Sequence, residues 1–185
     1  MSKLILPSHL GGHGNKTHID EGVFNFMITK FTVNSLLDIG CGPGGIVEYA
    51  LNKGIKAIGV DGDFTLDRVA PCIIHDYTTG PLDHQDIYYD FGWSVEFLEH
   101  VEEKYIPNFM NSFQHCRRVI LTASDNPRPK CHVNPQLPSY WIKVFTDYGF
   151  KYNHSVSEYI KKASTLDRDF FRKSGMYFFN DCIID

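Results

Sequence analysis

The chain has 185 residues and a mass of 21.2 kDa, enough for one domain that buries a core without disulfides or a structural metal. Apolar residues make up 43% and charged residues 22%, which excludes a disordered, collagen-like or low-complexity protein. The net charge of −4 disfavours a protein living on contacts to long nucleic acid. The late basic cluster of Lys161, Lys162, Arg168, Arg172 and Lys173 reads as a solvated helix face.

Leu10 to Lys16 reads as a loop. Thr17 with Asp20 three positions on resembles a capping box, and the helix behind it would bury Val23, Met27 and Phe31 in one stripe, with Phe24 and Ile28 beside it. From Ser35 onward, apolar β-rich runs alternate with helical patterns, which predicts an α/β domain with a largely parallel sheet. The predicted strands are Ser35 to Ile39, Lys56 to Asp61, Cys72 to His75, Tyr88 to Trp93 and Arg118 to Ala123. The first crossover helix opens at Gly44-Gly45, carries Val47, Ala50 and Leu51 on one face and stops at Gly54. Another carries Ile106, Phe109, Met110 and Phe113, with Pro107 in its first turn.

Residues 124–138 hold four prolines and read as a long, partly stiffened loop of the kind that carries function. Ser139 would cap a helix carrying Trp141, Val144, Phe145 and Tyr148, stopped by Gly149. Phe150 to Ser155 and Met176 to Asn180 read as closing strands, with less regular helix over 157–173. The expected organisation is a single domain over 1–185. Residues 1–34 form an N-terminal loop and cap helix, 35–123 a cofactor-binding half, and 124–185 a substrate loop with the closing strands.

Five cysteines at 41, 72, 116, 131 and 182 form no CxxC pair and fit reduced, packed thiols in a cytoplasmic compartment. The apolar run at the N-terminus is too short for a signal peptide. No segment approaches the roughly 18 apolar residues of a membrane span.

Gly40-Cys41-Gly42-Pro43-Gly44-Gly45 links the first strand to its helix, where free N–H groups can face an anion. Gly40, Gly42 and Gly45 satisfy the dinucleotide pattern GxGxxG, but three features oppose a nicotinamide dinucleotide. Asp38 interrupts an apolar strand, a helix precedes that strand, and the length leaves no room for a substrate domain. A P-loop is excluded because no Gly-Lys-Ser/Thr follows the glycines. Asp61, with Gly62 after it, stands about 20 residues past the glycines, where a carboxylate can accept both ribose hydroxyls. Asp63 starts the next turn.

Leu36-Leu37-Asp38-Ile39-Gly40-Cys41-Gly42-Pro43-Gly44 closely resembles the first motif of class I S-adenosylmethionine-dependent methyltransferases. The resemblance implies a Rossmann-like fold with a mostly parallel seven-stranded sheet flanked by helices. It also implies S-adenosylmethionine as cofactor, held at Asp38, Gly40, Cys41 and Gly42. It gives Asp76 the adenine amino group and Tyr77 the purine face; a turn cap and a core tyrosine are the alternatives.

Trp93-Ser94-Val95-Glu96-Phe97-Leu98-Glu99-His100-Val101 resembles the family's segment ending in Glu-His-Val, with Ser94 to Glu96 beside the cofactor and His100 facing the methyl or the acceptor. Glu96-x-x-Glu99-His100 also resembles the divalent-metal set of two narrower groups, one acting on small-RNA 3′ ends and one on ubiquinone-precursor phenols. His132 is available as a further ligand. Structural polar residues at a helix start are the other reading.

His13, His18 and His132 are expected to converge on the acceptor, and His100, His132 and then Glu96 are the candidate bases. Across nearly the whole chain the pattern resembles small stand-alone methyltransferases of tailed phages of marine bacteria, which would place it in a host cytoplasm. The stretch from Ser124 to Cys131 departs from them. The expected activity is O-methylation of a small molecule or sugar by in-line transfer. Metal-assisted 2′-O-methylation of an RNA 3′ end and a non-catalytic cofactor-binding subunit are the alternatives. No membrane partner is expected, and the oligomeric state is left open.

Overall fold

The computed structural model describes residues 7–10, 12 and 14–183. Among them, seven strands form one sheet: β1 (Ser35–Ile39), β2 (Lys56–Asp61), β3 (Cys72–Ile74), β4 (Tyr89–Ser94), β5 (Cys116–Leu121), β6 (Lys151–Tyr152) and β7 (Met176–Phe179). Their order is β3-β2-β1-β4-β5-β7-β6, and only β7 runs antiparallel to its neighbours. The chain winds outward from β1 in both directions. The order therefore reverses between β1 and β4, and a crevice opens at the C-terminal ends of those strands.

Alternation along the strands feeds two cores. Leu37, Ile39, Val119 and Leu121 face one side, against α3 (Ile106–Gln114) and α4 (Pro138–Asp147), whose Phe109, Phe113, Trp141 and Phe145 are buried there. Leu36, Phe91, Trp93 and Ile120 face the other. That side is covered by α1 (Glu21–Lys30), α2 (Gly45–Asn52), α5 (His154–Ala163) and α6 (Phe170–Ser174). No helix among the described residues is long and apolar enough to cross a membrane.

Several local expectations are corrected. Asp20, not Thr17, caps α1: its carboxylate accepts from the Val23 N–H at 3.1 Å, while Thr17 Oγ1 accepts from Gly45 N at 3.0 Å and so joins the N-terminal segment to the glycine loop. Phe31 lies just past α1 and stacks on Tyr177 at 5.4 Å. Leu51 is exposed; Ile46 joins Val47 and Ala50 in the buried face of α2. α4 starts at Pro138 with Leu137 as its cap, because proline is preorganised for a first turn and lacks only an N–H that the helix does not use. The strand expected over Phe150 to Ser155 shrinks to two residues, since Asn153 accepts from Val156 N at 3.0 Å and turns the chain into α5. The region 157–173 divides between α5 and α6. Arg168 is exposed as expected, but it lies in the connection between α5 and α6 and borders the crevice.

Asp20 is fully buried and bonds across the fold as well as along its own helix. It accepts from Thr165 N at 3.0 Å and from the Ser164 hydroxyl, which fastens α1 to the segment between α5 and α6. Removing it strands a capping N–H and a second backbone donor. Replacing Asp20 with Ala is expected to cost about 2–4 kcal/mol, read as a lower midpoint in urea unfolding.

Candidate functional site

The crevice is a cavity of about 490 Å³, within the usual size range of small-molecule and cofactor sites. Its floor is the loop after β1. Gly40 holds φ at +77°, and a Cβ there would meet Phe97 Cδ2 at 2.5 Å, so only glycine lets the loop turn under that ring. Gly40 and Cys41 donate N–H bonds to Val60 O at 2.9 and 3.1 Å. Gly42 N donates to Asp61 Oδ2 at 2.8 Å, and Asp63 N to Asp61 Oδ1 at 2.8 Å. Asp61 thus shapes the loop as well as facing the cavity. Asp63 is buried and starts the following turn, accepting from Thr65 N at 2.8 Å.

Asp38 is 3% exposed, lines the cavity and has no hydrogen-bond partner among the described residues. Burial first, then the nearby Asp61 carboxylate, pushes its pKa well above the ordinary value. A ligand carrying an ammonium group would remove the penalty that holds the proton on.

Cys41 offers only its backbone to the cavity. Its thiol packs under β2, where a Cβ on Gly59 would meet Sγ at 2.4 Å, and it lies 3.4 Å from Cys72 Sγ. Within this pair Cys72 is drawn down to about 7, by the hydrogen bond to Cys41 and by Arg68 against an opposing burial, and Cys41 is pushed up.

Gly62, Asp76 and Tyr77 complete this end of the site. Asp76 accepts from Thr78 N at 2.8 Å and lies 3.1 Å from His9 Nε2. Tyr77 is a core residue whose hydroxyl bonds Ser112 Oγ at 2.7 Å, so only its ring edge is available to a purine. Ser94 does not reach the cavity: fully buried, it donates to Ile39 O at 2.8 Å and ties β4 to the end of β1.

The other end is built by the segment after β4 and the proline-rich loop. Glu96 adopts φ of +53°, a costly conformation for a residue with a Cβ. Thr122 braces it, accepting from Glu96 N at 3.1 Å and donating to Glu96 Oε1 at 2.9 Å. Burial raises the Glu96 carboxyl, and burial together with Glu96 raises the fully buried Glu99 well above the ordinary value.

His100 and His132 meet edge to face with ring centroids 4.9 Å apart, and both line the cavity. His18 lines it too, edge-on to Phe170, with its pKa lowered by burial and by Arg168 and Lys16. His13 lies outside the described residues. Gly12 packs on His100 so closely that a Cβ would meet Cε1 at 2.2 Å.

His9, Lys16, Phe97, Arg168 and Phe170 also line the cavity and are not singled out as site residues from the sequence. The aspartates stand at strand ends, where topology makes them legible. These five arrive from the N-terminal segment, from the cap of the 3-10 turn at Leu98–His100, from the α5–α6 connection and from the first residue of α6.

Residues 37–122, just under half of the chain, match a family described as a methyltransferase domain. No curated protein matches the chain in sequence. Among solved structures it is similar to a TehB-like SAM-dependent methyltransferase from Corynebacterium glutamicum (TM-score 0.62, 16% identity, 92% of this chain and 91% of that one). It is also similar to magnesium protoporphyrin IX methyltransferase from Synechocystis PCC 6803 with bound SAM (0.60, 16%, 87% and 77%). A third is the methyltransferase domain of a bacterial CtHen1 (0.60, 16%, 86% and 95%). The architecture is the class I methyltransferase fold, and with the domain match it supports an enzyme of the methyl-transferring class with S-adenosylmethionine as donor.

Replacing Asp38 with Asn tests the floor of the site. The raised carboxyl weakens the free protein as pH climbs from the ordinary Asp value through the raised one, so D38N is expected to melt higher at neutral pH. Its affinity for S-adenosylmethionine should fall by about 10- to 100-fold, the worth of one charged hydrogen bond. Calorimetric titration and a thermal melt check the two together.

Proposed function

We propose that the protein transfers the methyl group of S-adenosylmethionine to an oxygen of a small-molecule or sugar acceptor. The observation that carries this reading is the unpaired buried carboxyl of Asp38 beside Asp61 at one end of a cavity whose other end presents two imidazoles. The cofactor supplies an activated methyl on a sulfonium sulfur when bound. Asp38 is assigned its ammonium end, Asp61 the ribose hydroxyls, and Asp76, shared with His9 and Thr78, the adenine amino group.

The remaining work is placement and proton removal. Holding an acceptor in line is worth of order 7–11 kcal/mol for well-oriented reactants. His100 Nδ1 faces Cys131 O at 3.1 Å and His132 Nδ1 faces Asn126 O at 2.7 Å. A carbonyl only accepts, so each Nδ1 bears a proton, and His132 Nε2 is the atom assigned to take the acceptor's proton. Glu96 ranks behind the imidazoles, since its Oε1 is already engaged by the Thr122 hydroxyl. Its part is to hold the strained turn that aims Phe97 and His100.

Lys16 and Arg168 at the same cavity favour an acceptor with a negative charge, and a terminal nucleotide of RNA is the second reading. Radiolabelled methyl transfer to a panel of sugars, sugar phosphates, phenols and RNA 3′ ends separates the two. On the best acceptor, His132→Gln is expected to lose 10²- to 10⁴-fold in turnover, about the worth of a general base, with cofactor affinity unchanged. Full turnover in that variant would remove His132 from the chemistry.

A further inference from the structure

The divalent-metal set that the sequence resembles, Glu96, Glu99 and His100, is not what the folded chain gathers. Glu99 is fully buried and does not line the cavity. Among the described residues, one group of three potential ligands comes together: His100, Cys131 and His132, each offering an atom within 4.8 Å of the other two. This donor set is two imidazoles and a thiol, the chemistry of zinc and not of a hard cation held by carboxylates.

We propose that His100, Cys131 and His132 bind a zinc-class divalent ion. Each imidazole donates its Nδ1–H to a backbone carbonyl, Cys131 O at 3.1 Å for His100 and Asn126 O at 2.7 Å for His132. That bond is the usual outer-shell support of a metal-ligating histidine, setting the tautomer and the orientation of the ring. The anchors are local to the proline-rich loop, whose His132 N also donates to Pro129 O at 3.0 Å. Ligand atoms around a tetrahedral zinc sit roughly 3.3–3.8 Å apart, so a closure of about 1 Å seats the ion. Binding deprotonates the Cys131 thiol, and the proton passes to solvent.

Three protein ligands leave a fourth position for a water or an acceptor atom, and two of the three line the methyl-donor cavity. A hydroxyl coordinated there loses its proton more readily, which assigns to coordination the task otherwise given to a free imidazole. That role rests on the proposed methyl transfer to oxygen; the metal site itself does not.

The test uses the full-length protein, stripped with chelator and then titrated with Zn²⁺ or Co²⁺. The expected result is one ion per chain and, for cobalt, a thiolate-to-metal charge-transfer band. Cys131→Ser should abolish the band and, like His132→Gln, weaken zinc binding by about tenfold or more, while Glu99→Gln leaves both readings unchanged. Circular dichroism of the variants, with the conservative Cys131→Ser as the main arm, separates ligand loss from misfolding. Absence of stoichiometric binding, or an ion kept by Cys131→Ser and lost by Glu99→Gln, overturns the site. Full turnover by metal-free protein overturns its catalytic role and leaves the methyltransferase reading standing.

Discussion

One carboxylate fixes where everything else in the cavity sits. Asp61 takes the Gly42 N–H on one oxygen and the Asp63 N–H on the other, so the loop after β1 and the turn after β2 are held by the same side chain. The loop cannot relax away from β2, because Gly40 and Cys41 also donate to Val60 O. Phe97 covers Gly40 from above, closing the space a side chain would need. The floor is rigid before any ligand arrives, and rigidity is what a site that works by placement needs.

Against that floor stands a carboxyl that the protein leaves unpaired. Burying Asp38 beside Asp61 costs stability whenever both are ionised, and no cation of the described protein offsets it. Natural folds hold such a conflict where a ligand resolves it. The N-terminal segment is arranged to respond: Thr17 contacts the glycine loop, Gly12 lies on His100, and His9 reaches Asp76. Residues before α1 therefore touch both the donor and the acceptor ends of the cavity.

At the acceptor end the carboxylates and the imidazoles divide the work. Burial raises both Glu96 and Glu99, and Glu96, braced by Thr122, holds a strained turn. His100 and His132 both line the cavity, their Nδ1 atoms bonded to the carbonyls of Cys131 and Asn126. Cys131, inconspicuous among the five cysteines, joins them because the proline-rich loop folds back onto the 3-10 turn at Leu98–His100, where Asn134 N donates to Glu99 O at 2.9 Å.

The sequence alone determined the alternating α/β pattern, the glycine loop and the aspartates at strand ends. These depend on periodicity and on short spacings, and parallel topology carries the ends of β1, β2 and β4 to one edge whatever the details of packing. It did not decide helix caps at Thr17 and Ser139, the length of β6, or the roles of Ser94 and Tyr77, because each turns on a competition between neighbours that only packing settles. Nor did it reveal that Arg168 borders the cavity or that Cys131 stands with two histidines. Those contacts join residues tens of positions apart through loops of no regular period. Only the tertiary structure, which sets where such loops come to rest, brings their side chains within reach of one another.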